Sequence, residues 1–207
     1  MKIKDALNVV GSLSNPKKMP GFSFGLNPDK CNQGNKLSLI EGSVCFDCYA
    51  KKGFYKVYNK QMVKTWEKRL SGVNNILFEA AMITLIQKKS PDYFRWHDAG
   101  DIQDMFHLKK IVRIARALPN TKFWMPTKEV NLIRKYNKEY GEFPSNLVVR
   151  VSGFMIDAGA SKGFANTSTV VTNKDNATCR AFENNNECGT CRKCWDNTVA
   201  NVAYFKH

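Results

Sequence analysis

Seven cysteines occur in this chain, and their spacing is typical of residues that bind metals. They form two groups, three near the start and four near the end: Cys31, Cys45 and Cys48, then Cys179, Cys188, Cys191 and Cys194. Thiolates are common ligands of structural zinc and of iron–sulfur clusters. The division therefore predicts one metal centre with an incomplete set of protein ligands and one complete centre.

The four cysteines near the end follow the pattern C-x2-C-x2-C, with Cys179 upstream of it. Four thiolates satisfy either a tetrahedral zinc ion or a four-iron cluster. Ferredoxins use this local spacing, whereas zinc ribbons more often use two separated pairs, so the pattern favours an iron–sulfur cluster. Zinc remains the alternative at this site.

The first group, with the pattern C-x13-C-x2-C, supplies only three ligands. Three protein ligands and one open position are typical of a metal that must meet water or a substrate. If the metal is zinc, His97 or Asp98 could complete the site. If it is a four-iron cluster, the unligated iron would be available to a small molecule.

Composition limits where such centres could form. An odd number of cysteines argues against a closed disulfide framework, and the first residues lack the apolar segment of a secretory signal. The sequence also has no run of about 18 apolar residues. We therefore expect an intracellular, cytoplasmic protein with no membrane contact, in a compartment where thiols stay reduced.

The formal net charge of +14 indicates a partner of opposite sign, and basic residues are densest over 51–69. Aromatic residues are interleaved there, as they are in surfaces that attract phosphates and stack on bases. The segment therefore predicts contact with nucleic acid through Lys51, Lys52, Lys56 and Lys60. The alternative is a solvated helix face whose aromatic side chains pack inward.

Short apolar runs alternate with helical patterns through the middle of the chain. The runs 22–26, 94–97, 122–125, 147–151 and 169–171 predict strands, with Pro126 ending the third. Helices are predicted over 73–85, 105–115 and 130–136. Strands separated by a helix are usually parallel, so we expect an α/β fold, either an incomplete (β/α) barrel or an open parallel sheet. The chain is too short for a typical eight-unit barrel of roughly 250 residues.

We divide the chain into a β/α domain, residues 1–172, with the first metal site and a cysteine-rich extension, residues 173–207, with the second. Active sites in parallel α/β folds gather at the carboxyl ends of the strands. The candidates there are His97, Asp98, Gly100, Asp101, Thr127, Lys128, Arg150 and Ser152. Two of these have structural alternatives: Asp98 and Asp101 could cap a helix that begins near Gln103.

Three cysteines in the loop after a first strand, followed by parallel β/α units, resemble the radical S-adenosylmethionine enzymes. The resemblance implies a [4Fe–4S] cluster whose fourth iron is chelated by the amine and carboxylate of S-adenosylmethionine, yielding a 5′-deoxyadenosyl radical. It also implies that the eight candidate residues meet this cofactor and that the four terminal cysteines hold an auxiliary [4Fe–4S] cluster. The spacing of thirteen residues after Cys31 is longer than the common spacing in that superfamily.

A second resemblance covers nearly the whole chain. The segments 45–53, 95–101 and 123–127 and the terminal cysteine run are similar to the phage-encoded gene product 88 family. This resemblance implies a phage protein in the cytoplasm of an infected host cell. The name of that family implies no reaction.

Three functions follow as hypotheses. The first is an iron–sulfur protein with two [4Fe–4S] clusters and radical S-adenosylmethionine-like architecture, served by an electron donor. The second is a non-catalytic iron–sulfur or electron-transfer protein, and the third is a zinc-stabilised nucleic-acid-binding protein. The sequence identifies neither catalytic residues nor a substrate, and it leaves open whether the protein is an enzyme.

Overall fold

A computed structural model describes residues 1–52 and 59–206. Within them, six α-helices and six β-strands lie along the chain. They are α1 (Ile3–Val10), β1 (Phe22–Phe24), α2 (Asn32–Leu37), α3 (Asn59–Val73), α4 (Phe78–Lys89), β2 (Tyr93–Trp96), α5 (Met105–Ala117), β3 (Lys122–Thr127), α6 (Val130–Tyr140), β4 (Leu147–Ser152), β5 (Thr167–Val171) and β6 (Asn201–Phe205).

The strands form one parallel sheet in which spatial order follows chain order, from β1 at one edge to β6 at the other. Phe94 aligns with Phe22 on one side and with Phe123 on the other, and Thr167 aligns with Val151 and Asn201. Because the crossovers from β1 to β4 step in the same direction, right-handed crossovers place their helices on one face. The predicted α/β class is confirmed, with an open parallel sheet.

One face of the sheet packs against the helices and forms the main core. Phe94 and Trp96 of β2 point into it, as do Phe123 and Met125 of β3, so alternate residues of each strand are buried together. Phe94 and Phe24 each contact Trp96 edge-on, with ring centroids 5.1 and 5.9 Å apart. The apolar stripe of α5 covers these rings.

The cap of α5 differs from both caps that the sequence suggests. Asp104 lies directly before the helix and accepts a hydrogen bond from the His107 N–H at 2.8 Å, so Asp104 is the cap. Asp98 and Asp101 lie too far upstream, because the helix begins at Met105 rather than near Gln103. The prediction that they cap this helix is wrong.

Two predicted elements differ from the structure for clear physical reasons. The helix predicted over 73–85 is two helices, because the chain turns after Val73 and Asn75 accepts a hydrogen bond from the Leu77 N–H. Pro126 does not end β3, which continues to Thr127. Beyond Trp124 this strand pairs only with β4, so the missing N–H of the proline costs no bond on the open side.

The second face of the sheet is covered by the segment that carries the last four cysteines. Trp195 packs edge-on against Trp124 at 5.1 Å and donates through Nε1 to the Phe94 carbonyl oxygen at 3.1 Å. The chain then returns as β6, a strand that the sequence analysis does not predict. Position 172, the predicted domain boundary, lies between two neighbouring strands of one sheet.

None of the helices in the described parts of the chain has the length and apolar character needed to cross a membrane.

We expect His107 to make stability depend on pH. It is buried against Phe78 and His97, and burial lowers the pKa of His107 to about 4. The neutral ring therefore contributes roughly 3 kcal/mol to the free energy of unfolding. This contribution is fully present above about pH 6.5 and is lost as the pH falls toward 4. In the His107→Phe variant, the free energy of unfolding should fall less between about pH 7 and 4.5 than it does in the wild type. Urea denaturation at each pH measures this difference.

Some acid sensitivity should remain in this variant, because burial also lowers the pKa of His97 well below its ordinary value. An unchanged pH profile after His107→Phe would contradict the assignment to His107.

Candidate metal centres

The first three cysteines lie in the loop between β1 and α3, at the carboxyl edge of the sheet. Cys31 immediately precedes α2, and Cys45 and Cys48 follow that helix. The loop is fixed to the segment after β2, because the Leu26 N–H donates to the Ala99 carbonyl oxygen at 2.8 Å. This edge is where the sequence analysis places the first centre.

Gly34 brings two of the thiols to a common space. A methyl group placed on Gly34 would lie 2.9 Å from the Cβ of Cys31, 3.5 Å from its Sγ and 3.7 Å from the Sγ of Cys45. Cys48 is close enough that its charge would raise the pKa of both other thiols. The three cysteines therefore share one site, and glycine leaves it open.

Bonds to three other loops hold this cysteine loop. The Gln33 N–H donates to Glu129 Oε1 at 2.8 Å, after β3, and the Asn32 side chain donates to the Gln103 carbonyl oxygen at 3.0 Å, after β2. The Val44 N–H donates to the Phe154 carbonyl oxygen at 2.8 Å, after β4. The carboxyl ends of four neighbouring strands thus support the three thiols.

The electrostatics favour neutral thiols unless a cation binds. Burial raises the pKa of Cys31, and Asp101 raises it further. Burial also raises the pKa of Cys45, while Lys128 and Lys51 lower it. A metal ligand must be a thiolate, so a bound cationic centre would have to offset the desolvation of these sulfurs.

Asp101 fastens two loops together. It accepts hydrogen bonds from the Thr127 hydroxyl at 2.6 Å and from the Lys128 and Ile102 N–H groups, each at 2.8 Å. Burial nevertheless raises the pKa of Asp101 to about 6. Its carboxylate and the Thr127 hydroxyl are thus bound to each other and to the backbone.

Asp98 and His97 keep unpartnered polar atoms within the described chain: Oδ1 of Asp98 and both ring nitrogens of His97 are buried without a hydrogen bond. His97 also has a φ of 56°, which side-chain-bearing residues rarely adopt. Within the described chain, the His97 ring therefore makes no hydrogen bond to a backbone carbonyl. Asp98 Oδ1 borders the loop after β1, since it lies against Gly25, whereas the His97 ring packs against that of His107, with centroids 5.5 Å apart.

The remaining candidates after β3 and β4 also have protein partners. Lys128 Nζ donates to the Gly153 carbonyl oxygen at 2.6 Å, and burial lowers the pKa of Lys128. Ser152 lies 3.2 Å from Ser168, oxygen to oxygen. Gly100 has a φ of 75°, and its Cα packs against the Leu26 backbone, where a methyl group would lie 2.7 Å from the carbonyl oxygen. Gly100 thus allows the loops after β1 and β2 to touch.

The second group lies on the face of the sheet opposite the main core. Cys194 is buried, and its Sγ is 3.0 Å from the Tyr204 hydroxyl oxygen of β6. The Cys179 N–H donates to the Ala203 carbonyl oxygen at 2.9 Å, so that this cysteine lies along the outer edge of β6. The Cys188 N–H donates to Lys18. Separate backbone anchors therefore hold the members of this group.

Burial raises the pKa of Cys194 to about 11, although the Tyr204 hydrogen bond and the charges of Arg95 and Arg150 lower it. Burial likewise raises the pKa of Cys188, and Cys179 and Cys191 raise it further. The four thiols are thus near one another, and all seven cysteines are free of disulfides.

Arg150 holds this second group in place. All five N–H donors of its guanidinium bind backbone carbonyl oxygens at 2.7–3.2 Å. The acceptors are Thr167, Lys193, Cys194, Asp196 and Val199. Arg150 is fully buried, so this arrangement leaves no donor for a cofactor carboxylate, which differs from the role expected for Arg150 at the sequence level.

No set of three or more His, Cys, Asp or Glu side chains in residues 1–52 and 59–206 is arranged to hold a single metal ion. Tetrahedral zinc, with Zn–S bonds of about 2.3 Å, needs sulfur atoms about 3.8 Å apart.

The basic segment is partly neutralised. Lys51 pairs with Asp29 at 2.9 Å and Lys52 with Asp47 at 2.6 Å, whereas Lys60 is exposed on α3. The fourth predicted contact, Lys56, lies outside the described residues, as do the aromatic positions 54, 55 and 58.

Sequence reasoning missed two residues that shape these sites. Gly34 follows Cys31 by one helical turn, and a glycine so close to a ligand is a signal for close approach. Arg95 lies inside β2, where a charged residue between Phe94 and Trp96 indicates a position facing away from the core. Neither signal by itself identifies the partner.

A family model described as "Gene product 88" matches residues 3–199. No curated protein and no solved structure matches the chain.

We expect Gly34→Ala to disturb the first group specifically. The added methyl group would lie 2.9 Å from the Cys31 Cβ, so the loop must shift, at a cost of about 1–3 kcal/mol in unfolding free energy. Gly159→Ala is the matched control, because nothing lies within 4 Å of its added methyl group. Equal urea midpoints for the two variants would contradict the close packing at Gly34.

Arg150→Met should destabilise the protein by about 3 kcal/mol or more, because it leaves buried carbonyl oxygens without donors. Arg113→Met is the control, since Arg113 forms an exposed pair with Glu79. Limited proteolysis should cut the 173–200 segment faster in the Arg150 variant alone. Equal protection in both variants would show that Arg150 does not anchor it.

Proposed function

The chain belongs to the gene product 88 family, and we propose that it is an iron–sulfur protein in which each cysteine group holds a [4Fe–4S] cluster. One observation carries the proposal: Cys31, Cys45 and Cys48 meet at the carboxyl edge of a parallel sheet, around the space that Gly34 leaves open. Ligand sites of α/β proteins occur at this edge.

The cysteine loop fits a cluster better than a zinc ion. Gly34 leaves open space beside the Cys31 and Cys45 thiols, and a four-iron cluster needs more room than one zinc ion. Lys128 and Lys51 add positive charge beside them, which suits an assembly that carries net negative charge with its thiolates. These residues would hold the cluster, with one iron lacking a protein ligand.

The second group fits a fully ligated cluster. It has four thiols, the Tyr204 hydroxyl beside Cys194 and the charges of Arg95 and Arg150 nearby. Hydrogen bonds and charges near cluster sulfurs tune reduction potential and stability. In this proposal, Arg150 fixes the segment on the sheet before the metal binds.

The architecture proposed for the whole chain is that of a radical S-adenosylmethionine-like partial barrel. Six parallel strands in sequential order, with a cysteine loop after the first, support it. When bound at an open iron, the cofactor would supply homolytic cleavage that yields a carbon radical. The chain's own contribution would be to bind and orient that cofactor.

Asp98 is the carboxylate best suited to accept from the cofactor ammonium, because its Oδ1 is buried and unpartnered. Asp101, Thr127 and Arg150 are already bound within the protein, so the proposed cofactor contact moves from them to Asp98.

Anaerobic purification tests the cluster assignment. We expect a brown protein with about eight iron and eight sulfide per chain, and about four of each in Cys45→Ala and in Cys191→Ala. Each variant loses a ligand from one centre only. Colourless protein that contains stoichiometric zinc would overturn the proposal.

S-adenosylmethionine separates the catalytic hypothesis from the electron-transfer one. It should perturb the electron paramagnetic resonance spectrum of the reduced first centre in the Cys191→Ala protein. Asp98→Asn should raise the cofactor concentration needed for half of this perturbation at least tenfold. The Cys45→Ala protein is the control and should not respond. Iron–sulfur protein without any perturbation or 5′-deoxyadenosine formation would favour the non-catalytic function.

A further inference from the structure

Arg95 of β2 faces away from the main core, toward the C-terminal segment. Its guanidinium stacks over the Trp124 ring, with Cζ 4.4 Å from the ring centroid. Its side chain is half-buried and its Nε atom is fully buried. Within the described chain, no carboxylate oxygen lies within 4.0 Å of it.

The hydrogen bonds of Arg95 are unusually poor. Nη2 is 3.4 Å from the Tyr49 hydroxyl oxygen and 3.5 Å from the His97 carbonyl oxygen, and Nη1 is 3.9 Å from Met19 Sδ. Nε has no partner in the part of the chain that is described. Good bonds from nitrogen to oxygen are about 2.7–3.2 Å, the range that all five bonds of Arg150 meet. A half-buried cation so poorly matched by its protein partners indicates an anionic partner.

Arg95 also lies between the two cysteine groups. On one side it meets Tyr49, the residue after Cys48. On the other side, the Trp124 ring beneath its guanidinium contacts Trp195, the residue after Cys194. These contacts form a continuous path from one cysteine group to the other.

Charge supports the same placement. Burial alone would lower the pKa of Arg95, but Tyr49, Asp98, Tyr204 and Cys194 raise it, so its pKa lies above the ordinary value. In return, the Arg95 charge lowers the pKa of Cys188 and of Cys194. Thiolates bound to a metal would provide the missing negative charge.

We propose that Arg95 is a positioning residue shared by the two centres, whose guanidinium is a common counter-charge that raises the reduction potential of both clusters. The inference rests on the proposed function. A nearby cation stabilises the more negative, reduced state of a cluster, so removal of the cation should make reduction harder at both sites.

The experiment compares Arg95→Gln with Arg95→Lys, each in the full chain and in the Cys45→Ala and Cys191→Ala backgrounds, which isolate one centre each. Each cluster takes one electron from dithionite through mediators, and the reduced fraction is read by electron paramagnetic resonance at fixed potentials. We expect Arg95→Gln to lower the ratio of reduced to oxidised cluster about tenfold at both centres, equivalent to about 59 mV for one electron. Arg95→Lys should restore most of that loss.

Two control variants define the specificity. Arg113→Gln removes an arginine charge on the helix face and should change neither centre. Lys51→Gln removes a charge near Cys31 and Cys48 and should shift the first centre alone. A purely structural role of Arg95 would not produce a charge-dependent potential that lysine restores.

Each result has one meaning. Wild-type protein without iron overturns the proposed function, and the role of Arg95 with it. Iron-loaded protein in which Arg95→Gln shifts one centre or neither overturns the role of Arg95 alone. The Arg95→Gln protein could also lose iron. Loss of iron from both centres, with iron retained in Arg95→Lys, supports the shared counter-charge. Loss of iron from a single centre overturns it.

Discussion

Four of the five hydrogen bonds of Arg150 connect the middle of β4 to the segment that carries the last cysteines, and the fifth reaches Thr167 of β5. A guanidinium is costly to bury, and here the cost is offset because every donor meets a carbonyl oxygen. Four of those carbonyls belong to residues 193–199, which lie outside the α-helices and the β-strands. One side chain therefore orders an irregular segment, and the cover over Trp124, the place of Cys194 and the return of the chain as β6 all depend on it.

The first cysteine group is supported differently. In the described residues 25–52 its loop has the short helix α2 and two short 3-10 turns, and hydrogen bonds to the loops after β2, β3 and β4 hold it in place. Parallel strands make this possible, because their carboxyl ends lie side by side at one edge. Each contact is a single hydrogen bond, and together they fix the loop from several directions. The site is therefore largely formed before any ligand binds, which lowers the ordering cost of binding.

Much of this arrangement could be predicted from periodicity. Strands of alternating burial and the helical stripe of α5 place the core, and strand ends place Cys31 and Asp101 together. Strand β6 was missed because five residues after a cysteine run give little periodic signal. The role of Arg150 could not be predicted, since its register shows that it faces away from the core but not which segment covers that face. The predicted caps of α5, Asp98 and Asp101, are wrong, because only the observed start of the helix selects Asp104.

The segment that carries the second cysteine group also covers the outer edge of β6. The N–H groups of Thr178 and Cys179 both donate to the Ala203 carbonyl oxygen, and the Thr178 hydroxyl accepts from the Ala203 N–H, so this stretch covers the last strand of an open sheet. An uncovered strand edge is a template for pairing with another chain. A metal centre that binds Cys179 together with the other three cysteines would therefore also protect the protein against aggregation. A chain without this centre would expose the edge of β6 to pairing with other copies of the chain.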